Sequence, residues 1–387
     1  MNVWIVNPFD NLPSEGYRPM RFWLMAEAFA RSGANVVYWT SDFSHANKKK
    51  RVRTHDVFSP FKIVEIPSLE YGRNVSLSRI RSHLRLAKEF ARTVRSKTAG
   101  GEFSRPDLVI ASSPPLSLVS EVHRFAREVG AKVIVDVMDA WPETFERVVP
   151  RWMLWPLRRM ARRNYLDAAA ITVVSRRYCD LVLSYGYSGQ VRLFYHGIEL
   201  SDEDPRIKSD ASPLKVVYAG NLGRSYDLAA AIKAVGRMKG AAVLDIAGKG
   251  EREDELMKLA GSLPGGSVRF HGYLPKDALD ALLRSADVGL VPMDGASYVG
   301  VPYKFADYSK HALAMASSLG GESSELLKSF GAGAEYVFGD ADSLEKALRQ
   351  IGENLPSFKA ASRKMAEENF DAVKIYDEYV RFASAYV

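Results

Sequence analysis

Lys304 and Asp307 stand three residues apart in Pro302-Tyr303-Lys304-Phe305-Ala306-Asp307-Tyr308. That spacing places both on one face of a helix. A cation there suits a diphosphate, and a carboxylate one turn on suits a ribose hydroxyl. The bland alternative is an ordinary surface Lys–Asp pair. An apolar run at 312–316 leads next into Ser318-Leu319-Gly320-Gly321-Glu322, a small-residue turn of the kind that lets backbone approach a phosphate closely. Upstream, Gly220, Asn221 and Arg224 follow one apolar run, Gly248 follows a second, and Tyr273 follows a third after Gly272. Arg224 and Lys304 each fall near a helix start, where cations and backbone N–H groups together stabilise charge growing on a departing diphosphate. Asp139 follows the apolar run 132–137 and reads either as a general base or as a turn cap before Trp141-Pro142. No cluster of His, Cys and carboxylates has metal-ligand spacing, so no metal is expected.

The elements that must position these groups alternate. In the first half, strands are expected at 2–6, 35–39, 63–66, 107–111, 132–137 and 170–174, with helices at 19–31, 77–97, 117–129, 151–165 and 176–185. In the second, strands at 214–219, 242–247, 267–271 and 287–292 alternate with helices at 227–238, 251–260 and 276–284. Such alternation implies parallel sheets covered on both faces. Glycines recur after successive strands, and the carboxyl ends of parallel strands share one edge, so the series outlines one crevice. The loop after the first strand lacks a Gly-x-Gly-x-x-Gly fingerprint; its single Gly16-Tyr17-Arg18 fits a substrate-lining loop better than a dinucleotide site. The polar, pattern-free stretch 201–213, with Asp202-Glu203-Asp204, reads as a linker. The expected division is a first domain at 1–200, a linker at 201–213, a second domain at 214–370, and a terminal helix at 371–387 that packs back on the first.

Length and composition agree. A chain of 387 residues, 47% hydrophobic and 26% charged, is a globular protein of about two domains. The single cysteine, Cys179, forms no internal disulfide, which fits a reducing compartment. The start reads as a first strand and not as a signal peptide, and no apolar stretch approaches the ~20 residues of a spanning helix. Charge is uneven: residues 1–200 carry 30 Lys+Arg against 19 Asp+Glu, and the remainder 23 against 27. A basic first half is expected to meet something anionic. Arg81, Arg85, Lys88, Arg92 and Arg95 form one stripe at helical spacing, with Ile80, Leu84, Ala91 and Val94 beside it. Residues 147–163 set Arg147, Arg151, Arg158, Arg159, Arg162 and Arg163 among Trp152, Met153, Leu154, Trp155 and Met160. Such mixtures suit an anionic bilayer surface, or else a core helix with a solvated basic face. Nothing resembles a nucleic-acid module, and no nucleic acid is expected.

Five segments follow in order at familiar spacing: 218–223 (Tyr-Ala-Gly-Asn-Leu-Gly), 244–251 (Leu-Asp-Ile-Ala-Gly-Lys-Gly-Glu), 268–272 (Val-Arg-Phe-His-Gly), 286–288 (Ala-Asp-Val) and 302–308. Together they resemble the family 4 glycosyltransferases, whose GT-B fold is α/β, two Rossmann-like parallel-sheet domains facing across a cleft. Asp139-Ala140-Trp141-Pro142-Glu143 and Ala111-Ser112-Ser113-Pro114-Pro115 are similar to a branch containing amino-sugar transferases of bacterial O-antigen and capsule synthesis. The resemblance implies metal-independent transfer, with retention, of a hexosyl or N-acetylhexosaminyl group from a nucleotide diphosphate sugar, UDP ahead of GDP, with no cofactor. It implies a donor site on the second domain with Gly220, Asn221, Arg224, Gly248, Tyr273, Lys304 and Asp307. The acceptor, a lipid-linked saccharide, would meet Gly16, Tyr17, Arg18 and Asp139 on the first domain. Catalysis would fall to Asp139, Arg224 and Lys304. Asp307 matches the second carboxylate of the family's Glu-x7-Glu pattern, and Val299 stands where the first is expected. The implied setting is cytoplasmic, peripheral on the inner membrane face. The rivals are a GT-B enzyme with a soluble small acceptor and a degenerate nucleotide-sugar-binding protein.

Overall fold

The computed structural model describes residues 1–51, 59–72, 76–146, 148–200, 213–263, 266–295 and 298–387. Arg147 and residues 201–212, most of the expected linker, lie outside the described residues. Contacts divide the chain into one unit of Met1–Gly197 with Ala372–Val387, and another of Ile198–Asp371.

The first unit runs β1 (Asn2–Val6), α1 (Arg21–Arg31), β2 (Asn35–Ser41), β3 (Phe43–Ser44), β4 (Lys49–Lys50), β5 (Lys62–Ile66), α2 (Leu77–Ala99) and β6 (Leu108–Ser113). It continues α3 (Leu116–Val129), β7 (Lys132–Val137), α4 (Trp155–Leu166), β8 (Ala170–Val173), α5 (Arg176–Ser184) and β9 (Val191–Leu193). Seven strands form one sheet in the order β5-β2-β1-β6-β7-β8-β9, parallel throughout. β3 and β4 make a separate antiparallel hairpin. The central strands are buried on both faces, as uninterrupted apolar runs require. Under one face Trp4 stacks on Phe125 with ring centroids 5.3 Å apart and meets Trp39 at 4.8 Å. Pro19 does not open α1 as expected. Met20 stays extended, and Asp10 Oδ2 accepts from Phe22 N at 3.1 Å, so a distant carboxylate caps the helix. Burial pushes that Asp10 carboxyl up to about 6.

The second unit runs β10 (Leu214–Ala219), α6 (Leu228–Arg237), β11 (Ala242–Ala247), α7 (Glu253–Gly261), β12 (Val268–Gly272), α8 (Lys276–Ser285), β13 (Val288–Val291) and α9 (Tyr303–Lys310). β14 (Ala314–Ser317), α10 (Glu322–Phe330), β15 (Gly333–Glu335), α11 (Ala341–Glu353) and α12 (Leu355–Asn369) complete it. Its six strands are ordered β12-β11-β10-β13-β14-β15. Renumbered within the unit this is 3-2-1-4-5-6, the doubly wound order of a Rossmann domain. The first sheet begins with the same winding. Asp227 caps α6 by accepting from Ala230 N at 3.1 Å. The apolar run at 312–316 is not all strand: Ala312 has φ +52 and ends α9 in a left-handed turn, with Leu313 N bonded to Tyr308 O, so β14 starts two residues later. The elements between 322 and 369 have no counterpart among the expected ones.

The last helix, α13 (Ala372–Ser384), packs against α1 in the first unit. A wholly buried ion pair fastens it. Arg21 Nη2 lies 2.8 Å from Asp136 Oδ2, both side chains without exposure. Arg21 Nη1 donates to the Phe194 and Tyr195 carbonyls at 3.0 Å each. Thr172 donates to Asp136 at 2.7 Å and lies 3.1 Å from Tyr379 OH on α13. Breaking a buried pair by removing one charge strands the other. Asp136→Asn is therefore expected to destabilise the first unit by about 3–5 kcal/mol, and Tyr379→Phe by about 1 kcal/mol. Denaturant titration followed through the fluorescence of Trp4 and Trp39 measures both.

Candidate functional site

In the second unit the strand order reverses between β10 and β13, and ligands of doubly wound sheets bind outside the carboxyl ends at such a point. Gly220 follows β10 there with φ +151. A Cβ on Gly220 would collide with Lys304 Nζ, so the lysine from the first turn of α9 lies directly over the glycine. Lys304 Nζ donates to Ala219 O and sits 4.3 Å from the Tyr218 ring centroid and 5.7 Å from that of Tyr226. The two rings form a cation–π cradle that fixes where the charge points. Gly248, after β11, has φ +137, and a Cβ on it would collide with the backbone carbonyl of Gly220. The two loops are thus in backbone contact, joined also by Gly220 N to Ala247 O at 2.9 Å and Leu222 N to Lys249 O at 3.0 Å. The glycine series is a packing requirement between loops as well as turn chemistry.

Asn221 stands at the rim, its carbonyl accepting from Tyr218 OH at 2.7 Å. Asp307 lies three residues past Lys304 on α9. Arg224, expected to help hold the diphosphate, lies on the loop after β10. Its side chain is 86% exposed and pairs with Glu251 at 3.3 Å, a solvated contact that holds an arginine weakly. Tyr273 is exposed just beyond Gly272. The turn after β14 does bring Gly320 and Gly321 to a helix start, but Glu322 is the first residue of α10 and is itself buried. A carboxylate at that helix start competes with any phosphate for it. Tyr218 and Tyr226 are the residues missed here; nothing in their spacing marks them as a lysine cradle.

In the first unit Gly16 has φ +80 and closes a short turn, Pro13–Glu15. Glu15 pairs with Arg51, and Tyr17 OH donates to Asn47 Oδ1 at 2.7 Å. The loop carrying Gly16, Tyr17 and Arg18 is thereby tied to the β3–β4 hairpin. Asp139 is engaged by its own loop: Trp141 Nε1 donates to Oδ2 at 3.1 Å and Thr144 Oγ1 to Oδ1 at 3.2 Å. Both donors are side chains of the same loop. Burial pushes this carboxyl above its ordinary value. A role as base requires Thr144 to yield to an acceptor hydroxyl.

A second cluster at the same sheet edge was not foreseen. Arg79, in the first turn of α2, lies 4.9 Å from the Trp141 ring centroid, 5.7 Å from that of Phe9 and 5.9 Å from that of Tyr71. Its Nε donates to His83 Nε2 at 3.4 Å. His45 Nδ1 lies 2.5 Å from Tyr71 OH and 3.3 Å from Lys48 Nζ. These residues come from the loops after β1, β5 and β7, from the β3–β4 turn and from α2. No linear motif links them; only the rule that strand ends share an edge could have.

The basic stripe on α2 is partly neutralised. Glu89 pairs with Arg85 at 2.9 Å and Arg92 at 3.0 Å, and Glu128 pairs with Arg95 at 2.5 Å. The apolar stripe divides: Ala91 and Val94 are core, while Ile80 and Leu84 are exposed. Trp152, Met153 and Trp155 are exposed as well, Trp152 by 77%, with Arg159 over the Trp155 ring at 5.7 Å. Among the described residues no helix is long and apolar enough to cross a membrane, and no group of three or more His, Cys, Asp or Glu is placed to hold a metal ion.

One prediction tests the loop packing of the second unit. Gly248→Ala puts a methyl group against backbone that has no rotamer to yield, at positive φ. A cost of about 1–3 kcal/mol is expected, read as a lowered unfolding temperature. The same substitution at Gly261, which has open space, serves as the control.

Residues 21–202 match the family model described as Glycosyltransferase Family 4, and residues 213–354 match that of Glycosyl transferases group 1. No curated protein sequence matches the chain. Among solved structures, sucrose-phosphate synthase from Thermosynechococcus elongatus aligns with a TM-score of 0.74 at 14% identity, over 99% of each chain. HepE of Anabaena, solved in complex with UDP, aligns at 0.70 and 14% identity over the full length of both. The lipopolysaccharide outer core galactosyltransferase WaaB aligns at 0.66 and 13% identity over 100% of this chain and 99% of that one. At such identities the structural likeness speaks for the fold, two Rossmann-like domains of GT-B type. With the two family models between them spanning most of its length, the chain belongs to the family 4 glycosyltransferases.

Proposed function

We propose that the protein moves a hexosyl or N-acetylhexosaminyl group from a nucleoside diphosphate sugar, UDP ahead of GDP, to a lipid-linked saccharide in the assembly of a bacterial surface polysaccharide. The reaction retains the anomeric configuration and uses no metal, and the enzyme works as a peripheral protein on the inner membrane face. The observation that carries the donor reading is the lysine held over a glycine at the switch point of the second sheet. A glycine there lets a diphosphate approach the backbone closely, and a fixed cation lies beside it. The HepE structures with UDP and with UDP-glucose support a uridine donor in a protein of this fold. The exposed Trp152 and Trp155 beside arginines support a membrane surface on the acceptor side.

In this reading Lys304 meets the diphosphate, with Arg224 closing from the rim once it leaves Glu251. Negative charge on the leaving group grows toward the transition state, so a fixed cation stabilises that state more than the bound donor. Asp307 meets the ribose. Gly220, Asn221, Gly248 and Tyr273 wall the donor, and Gly16, Tyr17 and Arg18 line the acceptor side. Asp139 serves as base. With its carboxyl held above the ordinary range, it becomes competent as pH rises through that raised value, so the transfer rate should climb there.

A charge-assisted contact contributes about 1.5–3 kcal/mol, so Lys304→Ala should weaken UDP binding roughly ten- to hundredfold while uridine binding changes little. Asp307→Asn should weaken both ligands. Asp139→Asn should leave UDP binding unchanged and lower transfer. Calorimetric titration with UDP and uridine checks the first two, and product formation checks the third; a Lys304→Ala protein binding UDP at full strength overturns the donor site. On the membrane side, the protein should co-sediment with anionic vesicles at low salt and be released at high salt, because the surface field is screened within a Debye length. Equal sedimentation with neutral vesicles would refute that part.

A further inference from the structure

Between α2 and the segment 141–160 the first unit encloses a groove of about 440 Å3, a size typical of small-molecule sites. Leu77, Ile80 and Leu84 form one wall; Phe145, Met153 and Leu157 form part of the other. The polar side chains on its lining are few, and two of them, Arg79 and His83, stand with Trp141 where the groove meets the sheet edge. Beyond Arg79 come Lys48, its Nζ 5.0 Å from the Tyr71 ring centroid, and His45. The space is therefore amphiphilic, hydrocarbon along its length and cationic at one end.

From these two observations we infer that the groove binds the aliphatic chain of a lipid phosphate, with the phosphate held at its cationic mouth by Arg79 and Lys48. The inference deepens the acceptor reading above and rests on it for the biological ligand. Three features bear on the choice of occupant. The cationic end gathers like charges: burial and then neighbouring cations push His45 down to about 4 and His83 down to about 3, and burial and Arg79 push Lys48 down to about 8. Asp139 also acts on Arg79. An incoming phosphate favours the protonated forms. The apolar walls exclude a bare inorganic ion or a free sugar phosphate as the whole ligand, because neither has surface to bury there. Finally, the groove is lined by exposed Leu77, Ile80, Leu84 and Met153, residues suited to the acyl boundary of a bilayer, so a chain can pass from membrane to protein without crossing water. A peptide helix would need a longer trough and offers no reason for the cations at one end.

Farnesyl phosphate is a suitable probe, with inorganic phosphate and farnesol as its two halves, titrated into the full-length protein and followed by tryptophan fluorescence. Farnesyl phosphate should bind at least tenfold more tightly than either half. Arg79→Gln should weaken farnesyl phosphate at least tenfold and leave farnesol unaffected. Leu84→Asp, at a half-exposed position that tolerates change, should weaken farnesyl phosphate and farnesol alike, with UDP binding intact in both variants. Lysine in place of Arg79 should restore part of the phosphate preference. The inference is overturned if inorganic phosphate binds as tightly as farnesyl phosphate, or if Leu84→Asp leaves farnesyl phosphate binding unchanged. Vesicle binding by the Trp152→Ser/Trp155→Ser double variant separates the two readings. Lost vesicle binding with retained farnesyl phosphate binding supports a groove distinct from the docking face. Vesicle binding by the unaltered protein without farnesyl phosphate binding refutes the groove and leaves the peripheral reading standing. Farnesyl phosphate binding that does not inhibit sugar transfer upholds the groove and counts against the lipid-linked acceptor.

Discussion

Arg21 and Asp136 face each other with no access to water, and removing two such ions from water costs several kcal/mol each. The cost is offset by a dense set of partners: three guanidinium–carboxylate contacts, two backbone carbonyls, the Thr172 hydroxyl and the nearby Tyr379 phenol. That single knot joins the start of α1, the end of β7, strand β8, the stretch after β9 and the helix α13. Its position matters for the site. Arg21 is three residues beyond Arg18, and Asp136 is three before Asp139, so the pair fixes the roots of both loops expected on the acceptor side. A softer, apolar junction at this point would leave those loops to find their own spacing.

Both sheets use the same winding, yet the switch points carry different chemistry. In the second unit the loops after β10 and β11 touch through glycine backbone, and one lysine is supported from below by two tyrosines. In the first unit the corresponding edge is crowded with aromatic rings and cations drawn from five separate segments. In the reading proposed above, the glycine backbone with its lysine meets a diphosphate, and the ring-lined mouth beside an apolar groove meets something amphiphilic. The shared winding says where a ligand goes, and the side chains at each edge say which class it belongs to.

The strands of the second half and their terminal glycines could be read from the sequence because buried parallel strands are unbroken apolar runs that end in residues free to turn. Lys304 could be read as a site candidate for the same reason. Arg21 and Asp136 could not: one looks like a first-turn surface cation, the other like an interruption in an apolar strand, and 115 positions separate them. Strand order alone brings them together. The arginine stripe on α2 was correct as spacing and incomplete as chemistry, since Glu89 lies within a turn of Arg85 and Arg92, and Glu128 belongs to another helix. Asp139 showed both of its possible readings in sequence, and the geometry adds two side-chain donors from its own loop. The groove was invisible for a different reason: its walls are residues at ordinary helical spacing, and a cavity is a property of what does not touch.

Because α13 belongs to the unit that begins the chain, the second unit is in effect an insertion within the first. A ribosome that has completed residues 1–197 has made a sheet whose Asp136 still lacks the tyrosine that helps to satisfy it. Closing a flexible loop as long as 198–371 would carry an entropic cost of about 4–5 kcal/mol. The second unit largely removes that cost by folding, because its own ends meet: Ile198 and Asp371 form a parallel bridge, and Ile198 N donates to Phe370 O at 2.8 Å. Once the later domain is folded, α13 emerges beside the point where the first domain was left, and the order of synthesis becomes an order of assembly. The first domain waits for the second to hand back its last helix.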